Sequence, residues 1–557
     1  MKIGNAAVYG LGQMPGRDSL AQLAILSVKV KFGTAQKQIE KALDAAARRE
    51  ELPREEIAEI AVPNYGLCEV GVLSQPLGDQ VAELTIEGTA GSSATRLSWI
   101  GSEGKKTKSV PVVVKRDHAE QLKDLKATAR DIQKMLPAQR DRIDSLFLGR
   151  KTWAYSVWRE RYLDHPLVGT LARRLIWIFD DGRSVRSGAW LADRAEGAPH
   201  GPGRLVDVDG RQLDVDSRAA TVSLWHPINS ASPPGAAATR SDVLGWRKFF
   251  EDRGIRQPFK QAHREIYLLT DAETRTETYS NRFAAHVLRQ HQFNALCGQR
   301  GWKNRLRLLV DDEYPPAHRL LSAWNLRAEF WVEGIGDEYV EAYVLDSGAF
   351  RFLATDQVRF YKIGAAENRA HAGGGSYSTC GSDEPENHPL RLDQIATIVL
   401  SEILRDVDLF VGVSSVGNNP EWEDGGPEGR FRDYWQAYSF GDLSTTAQSR
   451  RELLLKLIPR LSIAAASTVT DRFLVVLGKK RAYKIHLGSG NILMEPNDQY
   501  LCIVPNSRME PGPDGGRLFL PFEGDRTLAI ILSKAFLLAG DDKITDRTIT
   551  SQIDHWR

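Results

Sequence analysis

The sequence lacks several features that would assign it to a functional class. Its four cysteines are scattered along 557 residues and form no CxxC pair, which supports neither a zinc ribbon nor a disulfide framework. No uncharged apolar run reaches the length of about 18 residues that a membrane span needs. The N-terminus carries no apolar export segment. We therefore expect a cytoplasmic protein without a membrane partner, and we assign it no metal ion and no cofactor.

The familiar catalytic motifs are missing as well. No GxxxxGK[ST] loop is present, so the chain is not expected to hydrolyse ATP, and neither HExxH nor GxSxG occurs in a suitable setting. The net charge is +1, with 73 lysines and arginines against 72 aspartates and glutamates. Because the charges balance over the whole chain, binding to nucleic acid would need a local basic patch.

The length and the residue patterning predict a multidomain α+β protein. A chain of 557 residues is too long for one hydrophobic core. Helical periodicity dominates the beginning of the chain, and mixed helices and antiparallel sheets follow. We divide the chain into a helical HEAT-like fragment (residues 1–62), a mixed α/β region (63–240), a central α+β domain (241–445) and a C-terminal α+β domain (446–557).

Periodicity and turn residues place the main elements. Alternating residues predict a hairpin over residues 80–101 and a strand from Val110 to Val114. An amphipathic helix is predicted over residues 117–150, and the aromatic residues that follow have a helical spacing more typical of a core than of a base-stacking surface. Residues 305–363 alternate as one antiparallel sheet, and Ser230–Thr239 has the composition of a loop or linker.

The segment Arg481–Val504 concentrates unusual residues and is the first place to look for chemistry. Two β-rich runs flank a Gly-Ser-Gly turn, and a third run follows a second turn, which predicts an antiparallel meander. Four polar side chains are expected to converge near the first turn and are candidate catalytic residues: Lys484, His486, Ser489 and Asn491. The structural alternative is a hairpin turn that needs a glycine with positive φ.

A second candidate set lies at the end of a helix predicted over residues 391–408. Its carboxylates are Glu402, Asp406 and Asp408. Such a cluster suits magnesium binding or acid–base catalysis, whereas Arg405 in the same turn favours structural ion pairs. The sequence leaves both interpretations open.

A lysine-rich loop provides the candidate nucleic-acid contacts. Lys105, Lys106 and Lys108 follow the predicted hairpin, whose last residues, Trp99–Gly101, partly resemble the Trp-Gly-Arg signature of the WGR module. After the tryptophan this chain has isoleucine and glycine, where the signature has glycine and arginine. Phosphate contact and a solvated loop are the two interpretations of these lysines.

Five blocks of the sequence together resemble one bacterial family. They are QPFKQAHREIY (Gln257–Tyr267), NRFAAHVLRQHQF (Asn281–Phe293), SEILRDVDLF (Ser401–Phe410), YKIHLGSGNI (Tyr483–Ile492) and ILSKAFLLAGDDKITD (Ile531–Asp546). The family is that of the MolR-like proteins, which are built around a large domain of unknown function and often carry helical repeats or a WGR module ahead of it. The resemblance covers most of the chain, and by this resemblance we expect a short form without that extension.

The resemblance implies partners rather than a reaction. MolR-like proteins are encoded beside MoxR-type AAA+ ATPases and von Willebrand A-domain proteins, so the resemblance implies a component of an ATPase-linked stress or conflict system. It supplies no catalytic residues. We therefore expect a non-enzymatic scaffold that binds other proteins. The alternatives are a hydrolase or nuclease with a site near His486, and a nucleic-acid-binding module that uses the lysine-rich loop.

Overall fold

The computed structural model describes residues 2–30, 32–88, 94–193, 202–228, 240–309, 312–336, 344–372, 377–379, 384–504 and 520–555. The chain folds into two compact units. Unit 1 comprises Met1–Arg264 and Phe519–Gly524, and unit 2 comprises Glu265–Leu518 and Asp525–Arg557. The boundary after Arg264 lies inside the predicted central domain, and the four-way division stays a prediction.

Unit 1 combines helices with antiparallel sheets, as the predicted α+β class requires. Its helices are α1 (Lys2–Gln13), α2 (Arg17–Lys29), α3 (Gly33–Arg49), α4 (Arg54–Ile60), α5 (Val112–Asp117), α6 (Ala119–Ser145), α7 (Tyr155–Trp158), α8 (Gly169–Ala172) and α9 (Arg240–Asp252). Its strands are β1 (Val72–Leu77), β2 (Gln80–Ile86), β3 (Thr95–Ile100), β4 (Lys106–Thr107), β5 (Thr152–Ala154), β6 (Ile176–Asp180), β7 (Val185–Ala192), β8 (Gly203–Val206) and β9 (Thr221–Leu224). They form one sheet in the order β1-β2-β3-β4 and another in the order β5-β9-β6-β7-β8. The predicted linker Ser230–Thr239 lies outside the described residues.

The first four helices confirm the helical character predicted for the beginning of the chain, whereas its likeness to a HEAT unit stays a prediction. These helices bury a common apolar cluster that includes Leu20, Leu23 and Ile39. In α3, Ile39, Leu43 and Ala46 recur every three or four residues, which places them on one face of the helix. Burial of that face is what holds the short helices together.

The predicted hairpin and long helix are confirmed, and they share one core. β2 pairs antiparallel with β3, so that Ala82 lies opposite Trp99. α6 buries Leu125, Ile132 and Leu136 in the same cluster, at the spacing expected of one helix face. β4 pairs with β3 and forms the last strand of this sheet.

The strand predicted from Val110 to Val114 is wrong. Residues Val112–Asp117 form the helix α5, and Pro111 stands immediately before it. Proline has no N–H to donate and its φ of −59° suits the start of a helix, so it favours a helix here despite the β-propensity of the valines. Val114 is buried, whereas Val112 and Val113 remain exposed.

The aromatic residues after α6 belong to the core, as their spacing indicated. Trp158, Tyr162 and Trp177 are fully buried, and Trp153 is nearly so. Their rings pack edge to face or tilted, with centroids 4.8–6.2 Å apart. These rings are therefore not available for stacking on nucleic-acid bases.

A buried carboxylate ties α4 to this aromatic core. Glu59 accepts hydrogen bonds from the Tyr162 hydroxyl (2.9 Å) and from Trp153 Nε1 (3.1 Å). Burial raises the pKa of Glu59, but the hydrogen bond from Lys151 and the charge of Arg142 outweigh burial and hold this pKa below its ordinary value. Glu59 therefore remains ionised inside the protein.

Unit 2 also combines helices with antiparallel sheets. Its helices are α10 (Asp271–Thr276), α11 (Gln290–Gln299), α12 (Thr397–Ser414), α13 (Arg432–Phe440), α14 (Thr445–Leu457), α15 (Arg526–Ala539) and α16 (Arg547–Asp554). Its strands are β10 (Tyr279–Ser280), β11 (Val287–Arg289), β12 (Glu313–Tyr314), β13 (Ala317–Leu321), β14 (Leu326–Ile335), β15 (Phe352–Lys362), β16 (Asn368–His371), β17 (Ser378–Thr379), β18 (Ser467–Val469), β19 (Phe473–Leu477), β20 (Ala482–His486), β21 (Ile492–Met494) and β22 (Gln499–Leu501).

The sheet predicted over residues 305–363 is only partly correct. β13, β14 and β15 pair as antiparallel neighbours, and β10 and β11 also pair with β15. β12 instead pairs with β16, in a separate sheet with β17. Strand alternation alone does not determine partners, because pairing depends on residues distant in the sequence. Residues 337–343 lie outside the described part of the chain.

The helix that carries the three candidate carboxylates begins and ends later than predicted. α12 runs from Thr397 to Ser414, so these carboxylates lie in its middle rather than at its end. Phe410, Val411 and Ser414 are buried, which shows that the buried face continues beyond the predicted end. A carboxylate in the middle of a buried helix needs donors from other elements.

The predicted meander in Arg481–Val504 is confirmed. β20, β21 and β22 are consecutive antiparallel neighbours in a sheet of the order β18-β19-β20-β21-β22. Tyr483, Ile485 and Ile492 are buried, and α15 packs against β19 and β20. The candidate polar residues therefore lie on a sheet that is covered by a helix.

Candidate functional site

The turn between β20 and β21 is tight and depends on glycine. The N–H of His486 donates to the Asn491 carbonyl (2.8 Å), and the N–H of Gly490 donates to the His486 carbonyl (2.9 Å). Gly490 has a φ of +75°, which residues other than glycine rarely adopt. At Gly488 a Cβ atom would lie 2.9 Å from Cε1 of His486, so this glycine makes room for the imidazole.

The imidazole of His486 is buried, and both of its nitrogens contact protein atoms. Nε2 lies 3.0 Å from the Gly441 carbonyl oxygen, and Nδ1 accepts a hydrogen bond from the Ser489 N–H (3.1 Å). Because a carbonyl oxygen only accepts, Nε2 carries the proton and the ring is neutral. Burial lowers the pKa of His486 to about 4, consistent with this neutral form.

Ser489 and His486 have the spacing of a nucleophile and its base. Ser489 Oγ lies 3.1 Å from His486 Nδ1, within the reach that proton abstraction needs. The same hydroxyl, however, donates to the Ser439 carbonyl (2.8 Å) and accepts from the Asn491 N–H (3.1 Å). A histidine whose pKa is about 4 is also a weak base near neutral pH. A catalytic role for this pair stays a prediction.

Asn491 joins the turn to α13 and to the residues after α12. Its buried side-chain amide donates to Ser439 Oγ (2.9 Å) and to the Gly417 carbonyl (3.4 Å). Ser439 Oγ donates to the same carbonyl (2.9 Å). Three of the four predicted polar residues are thus brought together, in a network that we call the turn network: His486, Ser489 and Asn491 with Ser439 and the carbonyls of Gly417 and Gly441.

The fourth predicted residue, Lys484, makes different contacts. Its ammonium group pairs with the carboxylates of Asp498 (2.8 Å) and Glu495. All three side chains are partly exposed to solvent. Since two carboxylates already balance the charge of Lys484, its contribution to a site at the turn stays a prediction.

Asp406 is fully buried and is surrounded by cationic and polar donors. Its two oxygens accept hydrogen bonds from Arg300 Nε (2.7 Å), Trp302 Nε1 (2.9 Å) and Arg319 Nη1 (2.7 Å). Arg405, which the sequence suggested as an ion-pair partner of the cluster, contacts Glu265 (3.2 Å). The geometry at Asp406 is that of a structural ion pair.

Asp408 binds a different set of donors. It accepts hydrogen bonds from the Tyr267 hydroxyl and from the hydroxyl (2.6 Å) and N–H (3.3 Å) of Thr446. Thr446 lies in the first turn of α14, where a negative charge is favourable. Glu402 is buried one turn before Asp406 on the same helix. Across the described residues, no three histidine, cysteine, aspartate or glutamate side chains are grouped to hold a metal ion.

The candidate nucleic-acid contacts lie in unit 1 and are exposed. Lys106 is in β4 and pairs with Glu83 of β2. Lys105 and Lys108 flank β4, and within the described ranges no ion pair involves either of them. Their contact with nucleic acid stays a prediction.

Sequence reasoning missed three residues that contact the turn network or the sheet that carries it. Nothing in the sequence marks Ser439 on α13, because serine is a common residue and Ser439 is distant along the chain from the turn between β20 and β21. Lys534 donates to the Gly490 carbonyl (2.8 Å), and burial lowers its pKa to about 8. Lys534 is the single charge in the long apolar stretch of α15. This isolated charge is the sequence feature by which Lys534 is recognisable as a candidate residue. Asp541 accepts the N–H groups of residues 479–481, in the turn between β19 and β20.

We expect His486 to make unit 2 less stable in mild acid. An unfolded histidine has a pKa of about 6.5, whereas burial holds the pKa of folded His486 at about 4. Because the unfolded state binds the proton more readily, this contribution is fully present above about pH 6.5 and is lost as the pH falls towards about 4. Between about pH 7.5 and about pH 5.5 the loss is about 1.3 kcal/mol, measurable by urea unfolding.

The variant His486→Ala tests the origin of that loss. In this variant, the loss of stability between about pH 7.5 and about pH 5.5 should be smaller than in the wild type by about 1.3 kcal/mol. Its stability at neutral pH should also be lower, because the substitution removes buried hydrogen bonds and leaves a cavity. The exposed His291 provides the matched control, and His291→Ala should keep both the stability and its pH dependence. A His486→Ala protein of unchanged stability would show that the imidazole belongs to a functional surface instead.

Comparisons with known proteins identify uncharacterised domains. Residues 104–302 match the family described as Domain of unknown function (DUF4132), and residues 447–553 match Domain of unknown function (DUF7737). No curated protein and no solved structure matches the chain. The lysine-rich loop lies in the first match, and the turn network lies partly in the second. Within the described ranges, no helix combines the length and the apolar character that crossing a membrane requires.

Proposed function

We propose that this chain is a MolR-like cytoplasmic protein that acts as a non-enzymatic scaffold, binding protein components of a MoxR-type ATPase system. The observation that supports this proposal is the turn network. Its residues have the chemistry of a catalyst, yet both nitrogens of His486 contact protein atoms and the Ser489 hydroxyl has protein partners. Buried side chains used in this way hold the elements of unit 2 in place rather than react with a substrate.

The sequence resemblance adds independent support. The blocks Tyr483–Ile492 and Ile531–Asp546, which carry part of the likeness to MolR-like proteins, fall within the second matched domain. Gln257–Tyr267 and Asn281–Phe293 fall within the first. The partners that the resemblance implies are a MoxR-type AAA+ ATPase and a von Willebrand A-domain protein, in a stress or conflict response.

The test is direct reconstitution. The tagged full chain is co-expressed with a MoxR-type ATPase and a von Willebrand A-domain protein from the same organism, and the mixture is separated by size-exclusion chromatography. We expect at least one of the two to co-elute with the chain, whereas an AAA+ ATPase of another class, the matched control, should elute alone. If both partners elute separately from the chain, the proposal is wrong.

A hydrolase that uses Ser489 is the second candidate, because Ser489 Oγ lies 3.1 Å from His486 Nδ1. A fluorophosphonate probe distinguishes it, since such probes label only serines that a base activates. We expect no labelling of the wild-type chain. The matched control is Ser439→Ala, which changes a buried neighbouring serine. If the wild type is labelled, and the label is lost in Ser489→Ala but kept in Ser439→Ala, the hydrolase is favoured and the scaffold proposal is wrong.

A further inference from the structure

The exposed side of α5 combines apolar and basic side chains, and no element in the described part of the chain covers them. Val112 is 75% exposed and Val113 is 50% exposed, while Val114 of the same helix is fully buried. A ligand that covers these two adjacent valines would gain from the burial of their apolar area. We call the segment Lys105–Arg116, which contains them, the basic edge.

The charge of the basic edge is of one sign. The segment holds five lysines and arginines and no aspartate or glutamate. Lys106 pairs with Glu83, and Arg116 pairs with its neighbour Asp117. Over the ranges that the structure describes, Lys105, Lys108 and Lys115 form no ion pair. A ligand that binds here should therefore carry negative charge.

The basic edge also includes the end of a sheet. β4 is the terminal strand of the sheet β1-β2-β3-β4, and no described strand pairs with its outer side. The outer N–H and C=O groups of such a strand are able to bind the backbone of an extended peptide. α5 begins five residues after β4 ends, so the exposed valines follow this edge closely along the chain.

We propose that the basic edge binds an extended acidic peptide segment, in which carboxylates alternate with aliphatic side chains. Only this class of ligand matches the lysines, the valines and the open strand together. Nucleic acid offers phosphates for the lysines, but its bases stack on aromatic side chains, of which the basic edge has none. The hydrocarbon of a membrane would accept the valines, but it cannot satisfy the outer backbone groups of β4.

This inference rests on the proposed function, because it names the kind of segment through which a protein partner would bind. The binding depends on two separate contributions. The lysines attract the carboxylates in a way that salt weakens. The valines contribute by burial of apolar area, which salt weakens little. Variants at the two sets of residues therefore have distinguishable effects.

The test measures binding of the full chain to a fluorescent synthetic peptide that alternates glutamate and valine. Lys105→Glu combined with Lys108→Glu should weaken binding by about tenfold or more, and Val112→Ser combined with Val113→Ser should weaken it by about tenfold. The matched control reverses two exposed lysines of α3, Lys37→Glu with Lys41→Glu, and should bind the peptide like the wild type. Circular dichroism of each variant checks that it is folded.

Three further probes decide between the ligand classes. A peptide with serine in place of valine should bind more weakly than the first peptide and should not respond to the valine variants. A single-stranded oligonucleotide and vesicles of phosphatidylcholine with phosphatidylserine should bind more weakly than the acidic peptide. Tighter binding of either one, or equal binding of the peptide to all variants, would overturn the inference.

Failure here is separable from failure of the scaffold proposal. If the ATPase or the von Willebrand A-domain protein co-elutes equally well with the wild type and with the basic-edge variants, the scaffold stands and this binding site is wrong. If the peptide binds as expected but neither partner co-elutes, the binding site stands and those partners are wrong.

Discussion

Asp406→Ala is expected to destabilise unit 2 by about 3–5 kcal/mol, the cost of breaking a buried ion pair by removing one partner. The carboxylate is fully buried and accepts from Arg300, Trp302 and Arg319, each at 2.7–2.9 Å. Without it, Arg300 and Arg319 both lose the carboxylate that they share. Urea unfolding followed by tryptophan fluorescence measures the loss, because the indole of Trp302 contacts the site.

Two variants make the Asp406 experiment specific. Asp406→Asn keeps the shape but removes the charge, so it should cost less than the alanine variant. Asp471→Ala removes an exposed carboxylate of the same unit that pairs with Arg451, and should change stability by less than about 1 kcal/mol. A stable, folded Asp406→Ala protein would contradict the structural assignment and would return Asp406 to the candidate catalytic residues.

Asp541→Ala is expected to destabilise the sheet of the turn network by about 4 kcal/mol, since hydrogen bonds to a buried charged group are strong and their donors remain behind. Asp541 is fully buried. Its oxygens accept the N–H groups of Lys479 (2.7 Å), Lys480 (3.0 Å) and Arg481 (3.1 Å), and the hydroxyl of Tyr483 (2.9 Å). It thereby closes the turn between β19 and β20 from a distant part of the chain.

Amide hydrogen exchange provides the local readout for Asp541. In Asp541→Ala the amides of residues 479–481 should exchange much faster, because their acceptor is gone. The neighbouring Asp542 is exposed, so Asp542→Ala is the matched control and should leave exchange in this turn unchanged. Unchanged protection in Asp541→Ala would mean that the turn is held by its own strands and not by the carboxylate.

Local patterns predicted the elements that depend on neighbouring residues. Alternation with glycine turns predicted the β20–β22 meander and the β2–β3 hairpin, because side-chain direction and turn geometry are set within a few residues. The same locality explains why His486, Ser489 and Asn491 were predicted to converge: they flank one turn. A strand prediction based on β-branched residues fails where one neighbouring residue favours a helix, as Pro111 does before α5.

The candidate carboxylates show that local patterns do not predict contacts between distant segments. Asp406 and Asp408 are two residues apart on α12, and their spacing suggested a common cluster. Their donors come from elsewhere: Arg300 and Arg319 for Asp406, and Tyr267 and Thr446 for Asp408. Nothing in the spacing of two aspartates specifies partners that lie more than 30 residues away in the sequence.

The sequence by itself determined the α+β class, the hairpin and meander, the amphipathic face of α6 and three of the polar residues at the glycine turn. Each of these follows from periodicity and backbone preferences that act over a few residues. Only the tertiary structure decided which groups those polar residues contact, and that His486 is enclosed instead of open to a substrate. Burial and hydrogen-bond partners arise when distant segments pack, so they belong to the folded chain and not to any one stretch of it.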